Sequence, residues 1–118
     1  MIENGWGHIV NCRLPISTEV SPGYVCYIIT KMGASRLAIG VTAEHENDNA
    51  AVNALWVATP IESRATIHWG NEKMIDRSHW HSTGICSDAL MEILPTDPRE
   101  LTSWQLTDEE ILRERGWS

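Results

Sequence analysis

No run in the sequence approaches the ~18 consecutive apolar residues that a membrane-spanning helix requires, so no membrane partner is expected. The first ten residues, Met1 to Val10, hold charge, glycine and histidine in place of a basic start followed by an apolar stretch. An export signal is therefore not expected, and the chain reads as cytoplasmic. Cysteine is scarce: Cys12, Cys26 and Cys86 are odd in number, widely spaced and free of CxxC pairs. That argues against a disulfide scaffold and fits a reducing compartment. Cys12 and Cys26 lie in apolar stretches and read as small buried hydrophobes. Basic charge is also short, with 9 Lys and Arg against 16 Asp and Glu. The net charge of -7 opposes nonspecific nucleic-acid binding, which depends on Lys and Arg displacing counterions. Only a local groove collecting Arg13, Lys31, Arg36, Arg64, Lys73 and Arg77 would offset it. Phenylalanine is missing, and the aromatic content falls instead on six tryptophans. Trp56 reads as core, whereas Trp80 and Trp117 stand in polar surroundings and offer anchors for a protein partner or for self-association.

Against these absences stands an ordinary globular balance of 42% hydrophobic and 21% charged residues, which predicts a folded chain with a packed core. A length of 118 residues suits one domain, 1–118. Pro95 to Pro98 separates a mixed α/β body, 1–94, from a tail, 95–118, that reads as mostly helical. The expected fold class is α/β (α+β): a small central sheet of three to five strands with flanking helices and a helical C-terminal tail.

His8 to Leu14 reads as a first strand, ended by Pro15. Tyr24 to Thr30 (YVCYIIT) and Arg36 to Val41 (RLAIGV), rich in β-branched and aromatic residues, read as a hairpin around KMGAS. Leu55 to Thr59 reads as a further strand, and the polar stretch Thr42 to Asn53 between them is open to helix or loop. Helical spacing from Ser63 through Ile67, Met74 and Ile75 predicts a helix, with Gly70 weakening it. Ser87 is placed to cap a helix ending at Leu94, and Asp97-Pro98 to open another. Thr107 and Glu110 form a capping-box pattern that opens the helix ended by Gly116.

The triplets Val25-Cys26-Tyr27 and Ala38-Ile39-Gly40, in the order strand, strand, polar segment, strand, helix, resemble the GIY-YIG nuclease superfamily over residues 22–77. Tyr27 falls on the tyrosine of the first triplet, Gly40 on the glycine of the second, and Glu72 on the metal-binding glutamate. Ala38 stands where the second tyrosine belongs, and Thr42 to Asn53 has no arginine where the family places one. What the resemblance implies is a metal-dependent endonuclease, or a divergent domain that binds nucleic-acid phosphodiesters. Tyr27 would assist the base step, Glu72 would hold Mg²⁺ or Mn²⁺, and Arg36 or Arg64 would stand in for the arginine.

Other constellations stay open beside it. His79 and His81, alternating along an extended segment, would share a metal with Cys86 or His68 completing a tetrahedral set. Cys86, in Cys86-Ser87-Asp88, carries the residue type of a nucleophile. The alternative class is a noncatalytic domain that binds a protein or a small ligand, with a homo-oligomer among its forms.

Overall fold

The segment Ala50–Trp56 is apolar except for Asn53, and a strand that presents apolar side chains to both faces belongs at the centre of a parallel sheet. The computed structural model, which describes residues 1–13 and 22–117, places it there. After a 3-10 turn at Ile2–Asn4, the elements are β1 (Gly7–Arg13), α1 (Val25–Glu44), β2 (Ala50–Trp56), α2 (Arg64–Lys73), α3 (Gly84–Ile93), β3 (Gln105–Thr107) and α4 (Asp108–Glu114). The sheet order is β1-β2-β3. Both pairings are parallel, from Gly7↔Ala50 to Arg13↔Trp56 on one side and from Ala54↔Gln105 to Trp56↔Thr107 on the other. The expected small α/β sheet with flanking helices is what the chain forms.

The expected hairpin is instead the single helix α1. Parallel neighbours require a crossover of a dozen or more residues, usually helical, and α1 is that crossover between β1 and β2. Local composition favours strand, but a sheet-facing stripe at three- and four-residue spacing decides the conformation. Asn11 Nδ2 donates to the carbonyl of Ala34, Arg13 Nη1 donates to Ser35 Oγ, and Thr42 Oγ1 donates to the carbonyl of Val52. Small residues let the helix approach the sheet, and Ser35 and Ala38 are its buried positions. The ambiguous stretch 42–53 resolves into the end of α1, a turn and most of β2. In that turn His45 Nδ1 lies 2.7 Å from Asp48 Oδ2, and Asn49 takes a positive φ of 49°. The strand expected at Leu55 to Thr59 runs earlier, over Ala50–Trp56.

The opposite face of the sheet carries the main core. Leu55 and Leu106 meet Ala89 and Ile93 of α3, Leu101, and Ile111 and Leu112 of α4. Residues 95–118 hold a strand as well as a helix, because β3 runs directly into α4. At that junction Thr107 Oγ1 accepts from the N–H of Glu110 while Glu110 Oε2 accepts from the N–H of Thr107, the expected capping box. Helix α2 begins with a similar reciprocal cap between Ser63 and Thr66. Helix α3 starts earlier than Ser87, after Thr83, and the segment at Asp97-Pro98 forms a turn.

Between β2 and α3 the chain makes an excursion closed by a single parallel bridge, Ile61↔His81. The N–H of Glu62 donates to the carbonyl of His81, and the N–H of His81 donates to that of Pro60. Within it Trp80 sits against Gly70, where an added Cβ would stand 2.7 Å from Trp80 Cη2. Among the described residues no helix is long and apolar enough to cross a membrane.

Candidate functional site

In open parallel α/β sheets, ligands bind beyond the carboxyl ends of the strands, because loops diverge there and leave a crevice. Here those ends are Arg13, Trp56 and Thr107. Since α1 returns antiparallel to β1, its first half lies beside the carboxyl end of β1, and Lys31 Nζ donates to the carbonyl of Cys12 at 3.3 Å. One helical turn earlier stands Tyr27, 48% exposed, with Lys31 Nζ 5.6 Å from its ring centroid. A phenol and an ammonium are thus held together at the end of the sheet where a ligand would lie.

Several buried polar atoms at the same strand ends have no partner among the described residues. They include Arg13 Nε and Nη2, Trp56 Nε1, Thr59 Oγ1 and Asp108 Oδ2. Asp108 is 0% exposed, and its Oδ1 accepts from the N–H groups of Ala58 and Glu109. Arg13 is 2% exposed, its guanidinium carbon 3.8 Å from the Trp56 ring centroid, and burial draws its pKa down to about 10. Native interiors rarely leave such groups unmatched, so those at the carboxyl ends of the strands are candidates for contacts with a ligand.

The remaining sequence candidates are dispersed. Arg36 is exposed on α1, and Arg64 is exposed at the start of α2. Glu72 lies on α2 with Oε1 3.4 Å from His68 Nε2, a solvated pair one turn apart. His79 lies in a turn beside Asp76-Arg77-Ser78, whereas His81 is in the bridge with Nε2 3.8 Å from Glu109 Oε1. Among the described residues no three His, Cys, Asp or Glu side chains converge on a metal, so the His79, His81 and Cys86 site does not assemble. Cys86 is half-buried, and burial first, then Asp108 and Cys12, pushes its thiol pKa up, away from the thiolate a nucleophile needs. Cys12 and Cys26, expected inside, are exposed at the edge strand and in the first turn of α1.

Arg13 and Lys31 enter the sequence analysis only as members of a possible basic groove, and Thr59 and Asp108 carry no signal there. The spacing Tyr27 to Lys31 carried a signal, but only for a helix. In a strand those two residues stand about 13 Å apart, while in a helix they share a face one turn apart.

No family model matches the sequence. Among curated proteins it is 32% identical over 111 residues to hydroxysteroid dehydrogenase-like protein 2 of Xenopus tropicalis, covering 92% of this chain and 26% of that protein. It is 31% identical over 111 residues to the Homo sapiens protein of the same name, with the same shares covered. The chain thus spans about a quarter of the length of these relatives. Among solved structures it is similar to a Xanthomonas campestris protein described as a dehydrogenase, with a TM-score of 0.75, 27% identity, and 92% of this chain and 40% of that one covered. A short chain dehydrogenase/reductase family protein gives a TM-score of 0.73 at 22% identity, with 91% and 46% covered. The fold is the Rossmann-like α/β fold of these dehydrogenases.

That finding overturns the nuclease resemblance. A GIY-YIG hairpin needs Tyr27 and Gly40 on two paired strands, and both lie on one helix. Nucleic acid as partner, endonuclease activity and Mg²⁺ or Mn²⁺ as cofactor fall with it. The noncatalytic alternative is set against this similarity to proteins described as dehydrogenases.

Proposed function

We propose that this chain supplies the reactive half of a nicotinamide-dependent oxidoreductase that interconverts a small organic alcohol and its carbonyl compound. The observation that carries the reading is the Tyr27 and Lys31 pair at the carboxyl end of a parallel sheet of dehydrogenase fold. A third solved relative by fold, an angucycline C-6 ketoreductase, has NADP bound.

The residues present fit the nicotinamide end of such a cofactor better than its phosphates. Thr59 Oγ1 and Asp108 Oδ2, buried and unmatched past the ends of β2 and β3, are a donor and an acceptor suited to a carboxamide. The sequence holds no Gly-x-Gly-x-x-Gly run, whose backbone cradles a pyrophosphate; its one Gly-x-Gly, Gly5 to Gly7, precedes β1. The nicotinamide, when bound, supplies or accepts the hydride.

The chain's own residues handle the proton. The Tyr27 hydroxyl gives its proton to the carbonyl oxygen during reduction, leaving a phenolate, and in reverse the phenolate takes the proton of the alcohol. Lys31, anchored through the carbonyl of Cys12, places a positive charge beside the negative charge that develops on the phenol oxygen as the proton leaves. Trp69, whose Nε1 donates to the hydroxyl of Tyr24 at 3.0 Å, ties α2 to the start of α1 beside Tyr27. A reducing compartment, the cytoplasm, suits the three free thiols.

The test is turnover of NADH or NADPH with a panel of small ketones and aldehydes, read by nicotinamide absorbance. Tyr27→Phe lowers kcat by ~10²-fold or more, the usual weight of a general acid, while binding of the nicotinamide, read by its fluorescence, is retained. Lys31→Met lowers kcat in the same direction. Equal turnover by wild type and Tyr27→Phe would sink the reading.

A further inference from the structure

We infer that Arg13 is the receptor for a carboxylate, so that the substrate is an acid bearing the reacting alcohol or carbonyl. The inference deepens the oxidoreductase reading and rests on it for the word substrate.

Arg13 is a buried guanidinium, 2% exposed, without a counter-ion among the described residues. An unpaired buried charge is costly, and one that persists usually has a partner that comes and goes. One side of the group is fully engaged: Nη1 donates to Ser35 Oγ, and the plane lies over the Trp56 ring, the register partner of Arg13. The other edge, Nε and Nη2, is covered from solvent and has no acceptor among the described residues. These two nitrogens form the parallel N–H fork that takes the two oxygens of a carboxylate side-on. A carbonyl or hydroxyl would leave one of them unmatched, whereas a carboxylate satisfies both.

Position agrees with chemistry. Arg13 and Trp56 are the last residues of β1 and β2, at the ligand end of the sheet. Arg13 is joined to the catalytic helix through Ser35, whose own hydroxyl donates to the carbonyl of Lys31 at 3.4 Å. A carboxylate held at this fork therefore lies on the same stretch of helix that carries Tyr27 and Lys31. With the rest of the molecule acidic overall, a single buried cation selects a small monoanion over a polyanion.

The test uses propionate as probe, with chloride and inorganic phosphate at matched ionic strength. In wild-type protein the ¹⁵N–¹H signal of Arg13 Nε shifts with propionate and saturates, and the unfolding midpoint rises with the same concentration dependence. Arg13→Lys keeps the charge but loses the fork, and weakens propionate binding roughly ten- to a hundredfold. An Arg13 signal unmoved by propionate, or moved alike by chloride, overturns the inference; saturation by phosphate alone does so too. The Arg13 signal is read in wild type, so it decides even if the variant does not fold. Turnover of neutral ketones without any propionate effect removes this inference alone, and a propionate site without turnover of any carbonyl removes the oxidoreductase reading alone.

Discussion

Asn53 is the only polar side chain in β2, and it is 0% exposed. Both ends of its amide are used: Nδ2 donates to the carbonyl of Leu101 at 2.8 Å, and Oδ1 accepts from the N–H of Trp104 at 3.0 Å. These bonds tie the chain before β3 to the centre of the sheet. Asn53→Leu removes both and leaves two buried backbone groups unmatched, so chemical denaturation should show a loss of about 2–4 kcal/mol. Asp97 offers a pH counterpart at the surface. The Arg99 side chain donates to both its oxygens, and the N–H of Arg99 to one, which lowers its pKa to about 2. A depressed carboxyl contributes its stabilisation above its ordinary value and loses it as pH falls through the folded value. NMR titration of Arg99→Ala should find the Asp97 midpoint moved part of the way back up, the backbone bond remaining. Neither residue declared its role in the sequence. Asn53 sat at the end of a polar stretch open to helix or loop, and only the strand register, Val10↔Asn53, buries it.

At the scale of elements, two of the four expected helix starts were legible, those after Ser63 and Thr107, and those at Ser87 and Asp97-Pro98 were not. The Thr107 and Glu110 box appears as expected, since capping depends on residues within four positions of each other, and the helix expected from Ser63 onward begins there. Helix α1 was not legible, because YVCYIIT and RLAIGV have strand composition and the force that makes them helical is the distant demand of a parallel crossover. Once the helix is granted, its glycines become informative. A Cβ at Gly33 or Gly40 meets nothing within 4 Å, so Gly33→Ala and Gly40→Ala should each raise stability by about 1 kcal/mol. Gly70→Ala should do the reverse despite the same helical setting, since its Cβ runs into the Trp80 ring. Thermal unfolding of the three variants reads the opposite signs directly.

For the molecule as a whole, the sequence predicted a small α/β sheet with flanking helices, and misassigned the chemistry. The triplets that resemble a nuclease hairpin both sit on the single helix α1, and Tyr27 carries weight in both readings because a phenol serves acid–base chemistry in either. The site itself depends on bringing the end of β1, the first half of α1 and the loop after β2 together, which no local pattern encodes. Packing is distributed unevenly over this frame. The sheet, α3 and α4 share the main core, while Gly70 is the only buried residue of α2. Hydrogen exchange should therefore show amides of α2 exchanging faster than those of β2 and α3, since sparsely packed segments open without global unfolding. Protection of α2 equal to that of β2 would contradict this.

The Ile61↔His81 bridge gives that uneven packing a consequence for how the protein can change. With its two ends clipped together, everything between them is an insert whose length the sheet scarcely registers, and doubling such a loop costs only about 0.6 kcal/mol in closure entropy. On the proposed oxidoreductase reading, substrate preference can then be rewritten by exchanging the insert as a cassette, while Arg13, Thr59 and Asp108 at and just past the strand ends stay in place.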